Sequence, residues 1–335
     1  MWKALLFLQK NLVWSIPAFM ILGVLFGFNY DPRPLQQAII PFTFLMVYPM
    51  MVTLNLREVF AGGDTRLQLT TQLINFALIP FLGYGIGQYF FADQPLIALG
   101  LLLTSLLPTS GMTISWTGFA KGNISAAIKM TVIGLILGSV ATPAYLQWLM
   151  GAVVNIPLSQ VFQQIIMIVF LPMLAGYLTQ RLLIWKFGNT AYQKDLKPKF
   201  PAISTLGVLG IVFIALALRA QTIISDPTLL LNLLVPLLIL YVINFVFSTL
   251  IGKLLFKRGD AIALVYGTVM RNLSIALAIA MTVFGAEGAD IALIIALAYI
   301  IQVQAAAWYV KFTDRIFGKA TEPANTRPVA SPQTG

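Results

Sequence analysis

The chain has 335 residues, of which 59% are hydrophobic and 10% charged, with a mean hydropathy of +0.88. Soluble domains average about 25% charged residues, so that class is excluded. The formal net charge is +10, and there is neither cysteine nor histidine, which removes disulfides, thiolate or imidazole metal sites, and Ser-His or Cys-His nucleophile pairs.

A helix that crosses a bilayer needs about 20 apolar residues. The hydropathy pattern predicts ten of them, at residues 11–29, 35–56, 67–92, 95–119, 123–150, 157–183, 200–222, 228–256, 260–285 and 289–312. The first run lacks a small-residue cleavage site behind its apolar stretch, so it reads as a retained span and not as a signal peptide. Turn chemistry separates the segments: Asp31-Pro32-Arg33-Pro34, Gly62-Gly63-Asp64, Asp93-Gln94-Pro95, Lys121-Gly122-Asn123, Asp226-Pro227 and Gly288. The longest polar connection, Trp185 to Lys199, divides the chain into two sets of five. The expected organisation is one ten-span domain, residues 1–317, followed by a disordered tail over 318–335 that is rich in Pro, Thr and Ala.

The basic residues are sorted by side. With ten spans, seventeen of the 21 lysines and arginines fall on the side that holds both termini, among them Lys3, Lys10, Lys121, Lys186, Lys194, Lys197, Lys199, Lys257 and Arg258. The positive-inside rule places that side, and both termini, in the cytoplasm of a cell's inner membrane. The excess positive charge is then a topology signal, and nucleic acid is not an expected partner.

Five spans followed by five put the two halves in opposite orientations, so any repeat between them, about 11–150 against 157–312, is an inverted one. Leu54-Asn55-Leu56-Arg57 matches Leu216-Ala217-Leu218-Arg219, Pro17 matches Pro172, and Ala120-Lys121-Gly122 matches Ala286-Glu287-Gly288, in that order along the chain. Two spans carry polar interruptions. In the fourth, Pro108-Thr109-Ser110-Gly111-Met112 offers a proline, a glycine and small hydroxyls where a plain span would be aliphatic, and a helix break is expected at Pro108. In the ninth, the corresponding stretch is Met270-Arg271-Asn272-Leu273-Ser274. Irregular backbone at membrane depth is tolerated where it is buried in protein or lines a cavity, so both breaks are candidate binding elements.

These residues carry a family resemblance. Tyr48-Pro49-Met50-Met51, Asn75 followed by Pro80, Pro108 to Met112 with Trp116 beyond, and Asn272 followed by Ile275 to Ala280 and Phe284-Gly285 resemble the signatures of arsenite efflux permeases and, more distantly, of bile acid:sodium symporters. The resemblance covers nearly the whole chain. It implies an all-α polytopic membrane protein of ten helices, built as two inverted five-helix repeats, with discontinuous fourth and ninth helices crossing at mid-membrane and a core domain moving against a panel domain. Thr109, Ser110, Gly111, Met112, Arg271, Asn272, Ser274 and Asn75 would meet the substrate, with Pro108, Tyr48 and Pro49 shaping the helices around it. Two positions depart from the arsenite permeases. Thr109 stands where they carry a cysteine, and a hydroxyl does not replace a thiolate for a soft trivalent metalloid; Ser274 stands where they carry an acid.

All eleven acidic residues fall at span ends, in loops or in the tail, whereas Lys129 and Arg271 lie within spans. Sodium sites want oxygen ligands and usually a carboxylate, so two cations without an anion suit an anionic substrate, or a fold in which a fixed cation replaces a metal ion. Arg271 can bind an oxyanion bidentately or bond to carbonyls freed by the helix break. Lys129 can serve as a proton carrier or snorkel to the cytoplasmic headgroups. Met112 and Met270 offer either soft thioether contacts or packing. The function read from the sequence is secondary transport of a small oxyanion, organic anion or metalloid, proton-coupled and without cofactor or metal. The alternative is a sodium-dependent organic anion symporter. A membrane sensor or enzyme is the remote one, since only a Ser110/Lys129 pair would remain as nucleophile and base.

Overall fold

The structure, a computed structural model, describes residues 2–55, 64–226 and 228–319, with backbone alone at Val13 and Ala286. Every regular element among them is helical. In chain order they are α1 (Trp2–Lys10), α2 (Leu12–Asn29), α3 (Ile39–Thr53), α4 (Thr65–Leu73), α5 (Ile79–Phe90), α6 (Pro95–Leu106), α7 (Gly111–Phe119), α8 (Ile124–Met150), α9 (Leu158–Ile165), α10 (Leu171–Phe187) and α11 (Asn189–Ala191). Then follow α12 (Phe200–Leu218), α13 (Ala220–Ser225), α14 (Thr228–Leu255), α15 (Arg258–Val269), α16 (Leu273–Val283) and α17 (Gly288–Phe317). Among the described residues, seven continuous helical stretches are long and apolar enough to cross a membrane, and an eighth if the bent pair formed by α1 and α2 counts as one span. With so many apolar helices, the protein is a multi-pass membrane protein.

Two of the long helices pass through π-turns. Ile74–Leu78 joins α4 to α5 and Ile166–Phe170 joins α9 to α10, and each is followed at the second residue of the next helix by a proline, Pro80 and Pro172. A proline has no N–H for the carbonyl four residues back and crowds it, and an extra residue in the turn makes room. For Pro80 that carbonyl belongs to Phe76, and the Tyr145 hydroxyl of α8 donates to it at 2.5 Å.

The predicted spans and the observed helices agree to within a few residues, with three differences. The stretch from Trp185 to Lys199 is not an open polar loop: α10 runs on to Phe187, and α11, a π-turn and a 3-10 turn follow after Gly188 at φ +81°. The third predicted span begins its helix at Thr65, immediately after Asp64, which holds φ +60°. The seventh predicted span, 200–222, is divided at Arg219 into α12 and α13, whereas the fourth and ninth are each two helices, as the breaks expected there require. The tail from residue 320 on, Arg57, and the Gly62-Gly63 turn lie outside the described residues.

Glycines set the closest helix contacts. Gly23 and Gly27 of α2 press on the backbone of Phe213 and Ala217 in α12, and Gly207 of α12 presses on Met46 of α3. Elsewhere, Gly100 of α6 rests on the Ile291 carbonyl of α17, where a Cβ would stand 2.5 Å from that oxygen. Small residues at these points let helix backbones approach without a side chain between them.

Candidate functional site

The two interruptions meet. Leu107 precedes a proline and takes extended backbone (ψ 91°), which ends α6. Met270 likewise turns extended (ψ 106°) after α15. Pro108 and Arg271 then lie side by side as a single antiparallel β-type pair, and the Asn272 N–H donates to the Leu107 carbonyl at 2.8 Å. Gln302 of α17 completes the pairing on the other side of Arg271. Its Oε1 accepts from the Arg271 N–H at 2.8 Å, its Nε2 donates to the Arg271 carbonyl at 3.2 Å, and Tyr241 donates to the same Oε1 at 2.9 Å.

Beyond the pair, both chains restart as helices with their N-termini capped. Ser110 caps α7 by a capping box: its Oγ accepts from Met112 N at 3.2 Å, and Thr113 Oγ1 accepts from Ser110 N at 3.2 Å. Asn272 caps α16, its Oδ1 accepting from Ile275 N at 3.3 Å. Between these ends Thr109 sits at φ +61°, a left-handed conformation unusual for a β-branched residue. The conformation turns its side chain into α8, where the hydroxyl donates to the Pro108 carbonyl at 2.6 Å and lies 3.3 Å from the carbonyls of Met130 and Thr131.

Helix C-termini leave carbonyls without intrahelical donors, and when buried these need partners. Here Arg271, 3% exposed, supplies them. Its Nη1 donates to the Thr268 carbonyl of α15 at 3.2 Å and to Asn75 Oδ1 at 2.7 Å, and its Nη2 donates to the Ser105 carbonyl of α6. Asn75 Nδ2 returns a bond to the Gly267 carbonyl at 3.0 Å, and Asn244 Nδ2 donates to Thr268 O at 3.0 Å. The guanidinium therefore occupies the negative ends of two helix dipoles, held by oxygens of neutral groups. Among the described residues it has no carboxylate partner, and its Nε has no acceptor.

In front of the pair lies a cavity of about 760 Å³. Its floor is Ser110, Gly111, Met112, Arg271, Asn272 and Ser274; its walls are Met46, Val47, Met50 and Met51 of α3, Ser204, Thr205 and Val208 of α12, and Tyr299 and Gln302 of α17. Leu6, Gln9 and Lys10 of α1, with Gln193 and Lys197, line it as well. Met50 covers Gly111 so closely that any Cβ there would collide with the methionine's terminal methyl.

Of the residues expected to meet substrate, Ser110, Gly111, Met112, Arg271, Asn272 and Ser274 are on the cavity wall. Thr109 and Asn75 are not; both are fully buried and hold the break from behind. Met270 is likewise buried in packing, away from Met112. Pro49 lies within α3 without ending it, and the Tyr48 hydroxyl bonds to Thr179 Oγ1 of α10 at 2.7 Å; their neighbours, and not they, face the cavity. Lys129, 4% exposed, is off the wall too, with its Nζ 3.3 Å from Asp64 Oδ2. It therefore has an acidic partner that a loop position for Asp64 had concealed. Tyr299, which bonds to Ser274, is a wall residue that sequence reasoning missed; a tyrosine three residues before Gln302 in an apolar run was the available signal.

Interrupted helices that pair by their breaks at the floor of a cavity define a class of helical membrane transporters. Residues 40–226, more than half of the chain, match the sodium bile acid symporter family, and the chain belongs to it. It is 25% identical to the arsenical-resistance protein Acr3 of Alkaliphilus metalliredigens over 93% of this chain and 94% of that protein. It is 21% identical to the Acr3 of Corynebacterium glutamicum over 73% and 70% of the two chains, and 26% identical to sodium/bile acid cotransporter 7 of Rattus norvegicus over 53% and 52%.

Proposed function

We propose that the protein is a secondary active transporter, not an enzyme, that moves a small oxyanion, organic anion or metalloid across the inner membrane, coupled to protons and not to sodium. The observation that carries the transport reading is the cavity that ends on the paired breaks, where the N-termini of α7 and α16 present N–H groups and positive dipole ends. Counting α6 with α7 and α15 with α16 as one span each supports ten spans, which on this reading form two inverted repeats over 11–150 and 157–312 that cross at mid-membrane. The glycine contacts of α2, α3 and α12 support one moving body, and that of α6 with α17 a second. Lys10 and Lys197, which line the cavity and belong to the basic side of the molecule, support an inward-open state with both termini in the cytoplasm.

On this reading Ser110, Gly111, Met112, Asn272 and Ser274 contact the substrate directly, while Thr109 and Asn75 act through the backbone they hold. Sodium-independent coupling is supported by Arg271. The oxygens of Ser105, Thr268 and Asn75 form the kind of ligand set that a hard cation takes, and the guanidinium already fills it. The proton is assigned to Lys129 with Asp64. Lys129 precedes the Met130 and Thr131 carbonyls that receive the Thr109 hydroxyl, so a change in the ion pair is one residue from the break.

Purified protein in liposomes, assayed with arsenite, antimonite, arsenate and small organic anions under imposed sodium or pH gradients, tests the reading. Flux driven by a pH gradient alone is the expected result, and its pH dependence should change in Lys129→Ala. Uptake that requires sodium, or an unchanged pH profile in that variant, overturns the coupling assignment.

A further inference from the structure

The large cavity and Arg219 lie at different points along α12: Ser204, Thr205 and Val208 line the cavity, and Arg219 follows the last residue of the helix. There Arg219, between α12 and α13, is ion-paired through Nη2 with Asp290 in the first turn of α17. Both side chains are about a quarter exposed (25% and 27%), and Arg219 borders a separate pocket of about 740 Å³ lined by Gly27, Asn29, Asp31, Gln36 and Ala289 among others. The two pockets share no lining residue.

The same two helices take part at both ends. Ser204, Thr205 and Val208 of α12 and Tyr299, Gln302 and Val303 of α17 line the large cavity. About 16 Å further along α12 from Val208, and about 13 Å along α17 from Tyr299, at 1.5 Å per residue, the helices are joined by Arg219 and Asp290. The glycine contacts of the two helices are made with different neighbours. Close glycine contacts fasten the outer half of α12 to α2 through Gly23 and Gly27, and the outer half of α17 to α6 through Gly100. The ion pair thus links two separately fastened bodies at the end where they are together. The Asp290 carboxylate is also favoured by the N-terminal dipole of α17, which leaves the arginine as the movable partner.

We propose that Arg219 and Asp290 are positioning residues for transport: their ion pair is the outer latch that holds the inward-open state, and it must part before the pocket beneath Asp31 and Gln36 can deepen into an outward path. This rests on the transport reading above. A latch of this kind controls how often the outer path opens, and it leaves the contacts at the paired breaks unchanged.

The absence of native cysteine allows a direct test. Ala289→Cys (4% exposed, on the outer pocket) and Val208→Cys (6% exposed, on the inner cavity) serve as single reporters for a membrane-impermeant maleimide applied from either side of proteoliposomes. Adding Arg219→Gln or Asp290→Asn should speed labelling of the outer reporter and slow that of the inner one by about two- to fivefold, the range that a partly exposed pair supports. The charge swap, Arg219→Asp with Asp290→Arg, should return both rates toward the parent values; this distinguishes a latch from general loosening. Unchanged rates in both neutralised variants, or faster labelling of both reporters at once, overturns the latch. A reciprocal shift in a protein that moves no assayed solute leaves the latch standing and removes the transport reading; flux with unchanged labelling does the opposite.

Discussion

A threonine held at φ +61° costs about 1–3 kcal/mol, and such strain persists only where the surroundings impose it. At Thr109 the hydroxyl repays part of that cost, because three carbonyls of the break and of α8 converge on it. The same geometry fixes which way the side chain points, and that is toward α8. A thiol placed here would therefore be shielded from the cavity. In Thr109→Cys the maleimide should react at least tenfold more slowly than in Met112→Cys, measured by mass shift against time in detergent; comparable rates would mean that position 109 faces the path. Arg271 makes the complementary point about what a sequence discloses. That an arginine inside a span needs polar partners or a cavity was readable from its cost. Whether it serves a ligand or the protein was not, because the answer depends on Ser105 and Asn75, which lie 166 and 196 positions away in the chain. Lys129 was harder still, since its partner Asp64 had every mark of a loop residue.

Breaks inside helices need a surface to lie on, and α8 provides one. Gly134 and Gly138, one turn apart, form a groove for the fourth-span break: a Cβ on Gly134 would be 2.5 Å from Thr109 Oγ1, and one on Gly138 would be 2.7 Å from Pro108 Cδ. Neither neighbour is a flexible chain end, so the backbone of the break must shift. We expect Gly134→Ala to destabilise the protein by about 1–3 kcal/mol, as overpacking does, and to reduce transport more than Gly118→Ala, whose added Cβ meets nothing closer than 3.6 Å. Thermal unfolding of the two variants side by side measures the difference, and equal behaviour would remove the groove. At this scale the sequence was informative where covalent structure dictates the backbone. Pro108 predicted its own break, and the capping residues Ser110 and Asn272 mark the restarts. The π-turns before Pro80 and Pro172 were not legible, because whether a proline ends a helix or is absorbed depends on a remote donor such as Tyr145. Pro49 was absorbed without any such turn.

For the whole molecule, length and hydropathy predicted a multi-pass helical protein, since apolar segments of this length have no soluble alternative. What they left open is what the centre of the fold contains, and the proposed coupling rests on it. A sodium symporter binds its cation in the native state, and ligand binding to the native state stabilises it by RT ln(1 + [L]/Kd), roughly 1.4 kcal/mol at ten times Kd. In this protein the oxygens at the C-terminal ends of α6 and α15 already hold a covalently attached cation, and a second charge entering the same ring would be repelled by it. The expected consequence is that replacing choline chloride by sodium chloride at equal ionic strength leaves the unfolding midpoint unchanged. A transported anion at saturating concentration should raise it, since the N-terminal dipole ends of α7 and α16 favour negative charge beside the cavity. Scanning fluorimetry across the two salts makes the comparison without any need to know the substrate. A midpoint that climbs with sodium by a degree or more would locate a sodium site outside the Arg271 ring and return the chain to the sodium-coupled branch of its family.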